Sequence, residues 1–291
     1  MSEALTLMTV HAHPDDEAIG TGGVLARYAD EGVRTVLVTC TGGEVGEIAD
    51  RALAIPETLA EVRRRELERA CEILRVASLH LLGYRDSGMM GTPDNQHPSS
   101  FYRAPLEEAT ARLVALVRRH RPQVLVTYDE RGFYGHPDHI KAHQITVAAF
   151  DAAGDPARWP ETGAPWQPVK LYYTAVARSA IRDLGRLLRD AGIDPPFEDG
   201  ETDDPEIGIA DELVTTQIDV SAHVERKRQA LMAHATQMGP EVFFARMPPP
   251  LFHQVFGRES FQLVRGTPGA SGLEGDLFAG LRGGSTGPRT S

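Results

Sequence analysis

Two histidines and three acids are packed into "HAHPDDE", residues 11–17, directly behind the apolar run "LTLMTV". A solvated loop needs no such charge, and imidazole with carboxylate is a donor set for a borderline divalent metal, zinc above all. Pro14 takes the chain out of any preceding strand, which makes His13 the exposed histidine of the pair. Asp16 follows three residues later, across a turn that Pro14 helps fix, so its carboxylate can return to the space beside His13. Taken alone, the pair reads more simply as a hydrogen-bonded loop, because a catalytic zinc normally has three protein ligands.

A second cluster supplies the missing ligand. "YDERGFYGHPDHIKAH", residues 128–143, again sets His, Pro and Asp in a Gly-containing loop behind an apolar run. It offers His136, His139 and His143, the last two one helical turn apart. Two such clusters at the ends of two strands of one parallel sheet favour a metal site with three convergent ligands and an open position.

The elements that must position these clusters alternate along the chain. "LTLMTVHAH" reads as a short buried strand, "GTGGVLARYADEG" as a helix ending at Gly32, and "RTVLVTCT" as the next strand. "TLAEVRRRELERACEILRV" is a helix with a capping-box signature in Thr58 and Glu61 and an apolar face of Leu59, Val62, Leu67, Ala70, Ile73 and Leu74. The strand "SLHLLGY", the helix "PLEEATARLVALVRRH", the strand "QVLVTYD", a helix from near Pro137 and the strand "VKLYYTAV" follow. This alternation predicts an α/β fold: a Rossmann-like, largely parallel sheet flanked by helices, with ligands at the carboxyl ends of the strands.

The last third is less regular. Residues 192–208 form a Pro-, Gly- and acid-rich loop or lid, "SAHVERKRQALMAHATQM" a helix and "ESFQLVRG" a late strand. The expected organisation is a single α/β domain over 1–266, in which 1–155 is the core with the metal site and 156–266 holds C-terminal elements and the lid. Residues 267–291, rich in Gly and Ser, read as a mobile tail.

Composition narrows the function. With 291 residues, 41% of them hydrophobic, the chain can bury a full core, and no window approaches the roughly 18 consecutive apolar residues of a membrane span. The start lacks a basic n-region and a cleavage site, and Cys40 and Cys71 form no disulfide framework, so a cytoplasmic setting is expected. A formal net charge of −11 argues against non-specific binding to nucleic acid or anionic membranes.

"HAHPDDE" followed by "HPDH" at 136–139 resembles the zinc-dependent N-acetylglucosaminyl deacetylases of the LmbE/PIG-L superfamily. "TCTGGEVGEI", "RDSGMMGT" and "GFYGHPDHIKAH" are similar to its mycothiol branch, which holds a deacetylase of GlcNAc-inositol and an amidase of mycothiol S-conjugates. "RDSGM" resembles the deacetylase, whereas "LARYADEG" and "HQITVAAFDAAGD" resemble the amidase. The resemblance implies His13, Asp16 and His139 as zinc ligands, Asp15 as general base, His136 as acid or electrostatic partner, and Tyr134 as the group that stabilises the oxyanion. Iron(II) suits the same ligands. Asp138 would orient an imidazole and keep it protonated, or else serve as an N-cap or first-turn acid of the following helix. Arg63, Asp86 and Glu47 follow strands on the ligand side and match positions that hold the sugar and polyol; their plainer readings are a surface pair with Glu66, a turn residue and a solvated acid.

Other features carry less. "GTGG" lacks the third glycine of a dinucleotide fingerprint, and its glycines would let a helix N-terminus approach the sheet and an anionic or hydroxyl-rich substrate. His143 reads as helix packing, His223 and His234 as ordinary surface or core residues, and "MPPPL" at 247–251 as a rigid crossing. The chain is therefore expected to hydrolyse an N-acylated glucosamine conjugate, by deacetylation or by cleavage of a bulkier amide. A sugar- or metal-binding module would need the cage but not the base Asp15.

Overall fold

The computed structural model describes residues 4–196, 207–269 and 271–282. Its elements run β1 (Thr6–His11), α1 (Asp16–Gly20), α2 (Gly22–Asp30), β2 (Arg34–Thr41), α3 (Leu59–Leu74), β3 (Ser78–Tyr84), α4 (Leu106–His120) and β4 (Val124–Thr127). They continue with α5 (Gly132–Gly135), α6 (Pro137–Ala152), β5 (Lys170–Ala175), α7 (Arg178–Asp190), β6 (Thr216–Asp219), α8 (Val224–Ala233), α9 (Phe243–Arg246), α10 (Pro249–Phe256) and β7 (Arg258–Arg265). Every residue of β1 and β4 is buried, the polar Thr6, Thr9, His11 and Thr127 included, as in strands covered on both faces.

Among the described residues these strands form one seven-stranded sheet in the order β3-β2-β1-β4-β5-β7-β6. The β3-β2-β1-β4-β5 part is parallel, and β7 runs antiparallel to both β5 and β6. The chain winds outward from β1 to β3 and then returns to place β4 beside β1, in the register Leu7↔Val124 to Thr9↔Val126. That reversal opens a crevice at the carboxyl ends of β1 and β4, where open α/β sheets bind ligands. Both histidine clusters leave the sheet there. One core lies under α2, α8 and α10, with Leu25, Tyr28, Leu231 and Phe252; the other lies under α4 and α6, with Leu113, Val117, Ile145 and Phe150.

Several expectations change. The capping box does not form: Thr58 gives no side-chain cap, and its hydroxyl donates to Ile55 O. Strand β6 and helix α7 stand in the segment read as irregular, and "PPPL" opens α10 rather than an extended crossing. The expected tail is docked as far as it is described: Leu277 and Phe278 are fully buried, and Tyr28 Oη accepts the Leu277 N–H at 2.8 Å. The rest of that tail, 283–291, and most of the expected lid, 197–206, lie outside the described residues. No helix among the described residues is long and apolar enough to cross a membrane.

The α2 N-terminus also serves another purpose than substrate binding. The N–H groups of Gly23 and Val24 donate to the two oxygens of Glu259 at 2.7 and 2.8 Å, and Glu259 is paired with the buried Lys227 at 2.5 Å. The protein's own carboxylate thus fills the anion site that a helix N-terminus makes. Gly23 is needed for that approach, since a Cβ would lie 2.9 Å from Glu259 Oε1 and 2.5 Å from Val220.

Candidate metal centre and active site

The turn after β1 separates two adjacent aspartates. Asp15 sits at φ 112°, ψ −31°, outside the regions open to L-residues without strain. Its carbonyl accepts from Ala18 and Ile19 at 3.0 and 3.1 Å, and its N–H donates to Glu17 Oε2 at 3.0 Å. The reversed backbone sends the two side chains apart. Asp16 turns toward His13 and His139, while Asp15 Oδ2 faces Arg63 Nη2 at 3.4 Å.

The loop after β4 is equally constrained. Phe133 has φ 65°, ψ −66°, the strained γ-turn region, and its N–H is tied to Asp129 Oδ1 at 2.8 Å. This turn leaves Tyr134 45% exposed over the site, its ring 5.0 Å from that of His139. His136 caps α6 by accepting the Asp138 N–H on Nδ1 at 3.1 Å, and the first turn of α6 then carries Asp138 and His139 inward.

Donor atoms of three residues converge, Asp16 through both of its oxygens. His13 Nδ1 lies 3.3 Å from Asp16 Oδ2 and 3.3 Å from His139 Nε2, and His139 Nε2 lies 3.5 Å from Asp16 Oδ1. A tetrahedral ion with bonds of about 2.0–2.1 Å spaces its ligands about 3.3–3.4 Å apart, close to each of these pair distances, two of which end on different oxygens of Asp16. Two other groupings, His13 with His136 and His139, and His13 with Asp86 and Asp138, also bring donor atoms within 4.8 Å. In the first, His136 gives Nδ1 to the α6 cap and keeps Nε2; in the second, Asp138 accepts from Ser87 N–H and O–H at 2.9 and 2.5 Å.

The surrounding groups orient these residues. His13 Nε2 faces Asp138 Oδ2 at 3.3 Å and Asp86 Oδ1 at 3.6 Å, the carboxylate backing that steers a ligating imidazole to bind through its other nitrogen. Tyr128 Oη donates to Asp16 Oδ2 at 2.8 Å, accepts the Ala12 N–H at 2.8 Å, and its ring stacks on His139 at 4.2 Å.

Comparison with known proteins identifies the family. The PIG-L family, described as GlcNAc-PI de-N-acetylase, matches residues 8–150, which include both clusters. A 1D-myo-inositol 2-acetamido-2-deoxy-alpha-D-glucopyranoside deacetylase from Geodermatophilus obscurus is 46% identical, over 97% of this chain and 100% of its own. The chain belongs to the PIG-L family. A second relative, deacetylase 1 of the same description from Catenulispora acidiphila, is 47% identical over 96% of this chain and 90% of its own. N,N'-diacetylchitobiose deacetylase from Pyrococcus horikoshii shares the fold at 18% identity, with a TM-score of 0.63 over 90% of this chain and 85% of that one.

The electrostatics of this PIG-L site divide the carboxylates. Burial pushes Asp15 up to about 6; Arg63 opposes the rise and the Asp16 charge adds to it. Burial also disfavours ionised Asp16, but His139 and His13 more than offset this and hold it well below the usual carboxylate range. Burial lowers His139 to about 3, which leaves its Nε2 lone pair free for a cation. His136 is lowered by burial and by the neighbouring His13. With Nδ1 accepting a main-chain N–H, a neutral His136 ring carries its proton on Nε2.

The three substrate-binding candidates stand in different settings. Arg63 is buried, its Nη1 donating to Gly43 O at 2.9 Å; a side chain at Gly43 would overlap the guanidinium. Glu66, its supposed surface partner, instead receives Thr236 N–H and O–H at 2.8 and 2.6 Å. Asp86 is buried beside His13 and accepts the Gly88 N–H at 2.8 Å, so it is both a turn residue and part of the site. Glu47 is exposed, and its main-chain oxygen accepts from Gln237. Asp138 backs the His13 imidazole and is at the same time the first-turn acid of α6, whose N-cap is His136. His143 packs as expected, its Nδ1 at 3.0 Å from Tyr128 O. A cleft of 460 Å³ lined by Glu44, Ile48, Leu59, Arg85 and Asp94 adjoins the centre, because Glu44 accepts the Asp86 N–H at 2.8 Å.

Proposed function

We propose that this PIG-L protein is a zinc-dependent deacetylase that removes the acetyl group from GlcNAc-inositol, the substrate named for its relatives, in the formation of a mycothiol-type thiol. The observation that carries the reading is the convergence of His13 Nδ1, His139 Nε2 and the two Asp16 oxygens, with neighbouring atoms 3.3–3.5 Å apart and the strained Asp15 next to them. A divalent ion held there, zinc or iron(II), would polarise the acetamide carbonyl and acidify a water beside it. Asp15 accepts the water proton, for which a carboxylate near 6 is suited at neutral pH, and returns it to the departing amine. The His136 Nε2–H and the Tyr134 hydroxyl donate to the carbonyl oxygen as it gains charge.

In this reading Arg63 and Asp86 orient Asp15 and His13, and Glu47 is left as the polar contact for the polyol. The partner is an amino-sugar conjugate in the cytoplasm, not nucleic acid or membrane. Two isosteric variants test the division of labour between the neighbouring aspartates. Asp15→Asn should keep one zinc per chain and an unchanged KM while kcat falls by ~10²–10⁴, whereas Asp16→Asn should chiefly weaken zinc binding. Near wild-type turnover of fully zinc-loaded Asp15→Asn would refute the assignment.

A further inference from the structure

The Asp15 turn is braced by a residue far away in the chain. Glu17, whose Oε2 accepts the Asp15 N–H at 3.0 Å, is 0% exposed, and a buried carboxylate needs a partner. Its Oε1 meets His234 Nε2 at 2.7 Å, 217 residues further on, and His234 is also 0% exposed. His234 Nδ1 is buried without a hydrogen-bond partner among the described residues, so the polar contact of this ring is the one with Glu17.

His234 also opens a segment that grips the other side of the site. Thr236 donates twice to Glu66 on α3, the helix that carries Arg63. Thr236 O accepts the Ala49 N–H at 2.9 Å, and Gln237 Nε2 donates to Glu47 O at 3.1 Å. Residues 234–237 therefore hold the Asp15 main chain through Glu17, and hold the helix whose Arg63 touches the Asp15 carboxylate. They lie beyond residues 8–150, the part matched to the family.

We infer that His234 is a positioning residue for deacetylation: through Glu17 it fixes the left-handed Asp15 turn and so aims the Asp15 carboxylate, without touching substrate. The inference rests on Asp15 acting as the base. The test measures amine release from GlcNAc-inositol by the full zinc-loaded chain. His234→Leu should lower kcat by ~10–10² with KM and zinc content unchanged. His234→Gln, which can place an amide N–H near Glu17, should recover most of that loss. In the Asp15→Asn background, His234→Leu should cost nothing further, because the group it aims is gone.

Should His234→Leu not fold, Glu17→Gln carries the same expectations, since it keeps the shape but sets an N–H where one acceptor is needed. Unchanged kcat in His234→Leu, zinc loss in proportion to activity, or an equal further loss in the Asp15→Asn background would overturn the inference. Those results leave a crippled Asp15→Asn, and with it the proposed reaction, intact. Near wild-type turnover of Asp15→Asn would instead remove the base, and the inference with it.

Discussion

Asp15 and Asp16 have the same side chain and adjacent places, yet the backbone reversal at φ 112° gives one to a guanidinium and the other to two imidazoles. The sequence makes the pair visible through "HPDDE" but cannot by composition assign the roles; these come from the turn. His13 and Asp16 stand out in the short motif behind β1, whereas His139 is singled out from His136 and His143 only by the resemblance to the family. Tyr128, Ser87, Glu17 and His234 are not legible in the sequence, because each acts on a partner brought close only by folding: Tyr128 meets Asp16 across 112 positions and Ser87 meets Asp138 across 51. Tyr128 gives a direct check at this scale. Tyr128→Phe keeps the ring on His139 but removes the hydroxyl that orients Asp16, so zinc affinity measured by chelator competition should fall ~10–100-fold. Unchanged affinity would mean that Asp16 is oriented by His13 alone.

The elements were largely readable. Strands β1 to β5 and helices α3, α4 and α6 follow from apolar runs and helical periodicity, and the β1–β4 crevice follows from parallel winding. Helix α7 was obscured by Gly185 in its middle, and the four-residue β6 is too short to show a period. "GTGG" was read as a ligand-facing helix end because its occupant, Glu259, lies 236 residues away. Helix α4 ends at His120, whose ring is 4.7 Å from His80; burial, His80, Arg34 and Arg119 push its pKa down to about 4. Since the unfolded chain binds that proton near pH 6.5, the stability due to neutral His120 is complete above 6.5, falls as pH drops toward 4, and levels off below it. His120→Gln should flatten the thermal-stability profile between pH 6.5 and 4 by at most about 1.4 kcal/mol per pH unit; an unaltered slope would show that His120 does not titrate there.

At the scale of the whole molecule, the C-terminal part completes what residues 8–150 begin. It adds β5, β6 and β7 to the sheet, Glu259 to the α2 N-terminus and His234 to the network behind Asp15. The Gly- and Ser-rich composition near the C-terminus hid the two side chains, Leu277 and Phe278, that anchor the segment against Tyr28. The relatives' similarity over 97% and 96% of this chain extends across these parts, so the proposed activity belongs to the assembled fold and not to the motif segment alone. The most direct measurement is to strip the protein of metal, add zinc back in steps, and follow amine release from GlcNAc-inositol beside a mycothiol-type S-conjugate. The account predicts no amine from the stripped protein, and turnover of GlcNAc-inositol that rises to a plateau at one zinc per chain and exceeds that of the conjugate. Full turnover by the stripped protein, or none from either amide at one zinc per chain, would contradict it.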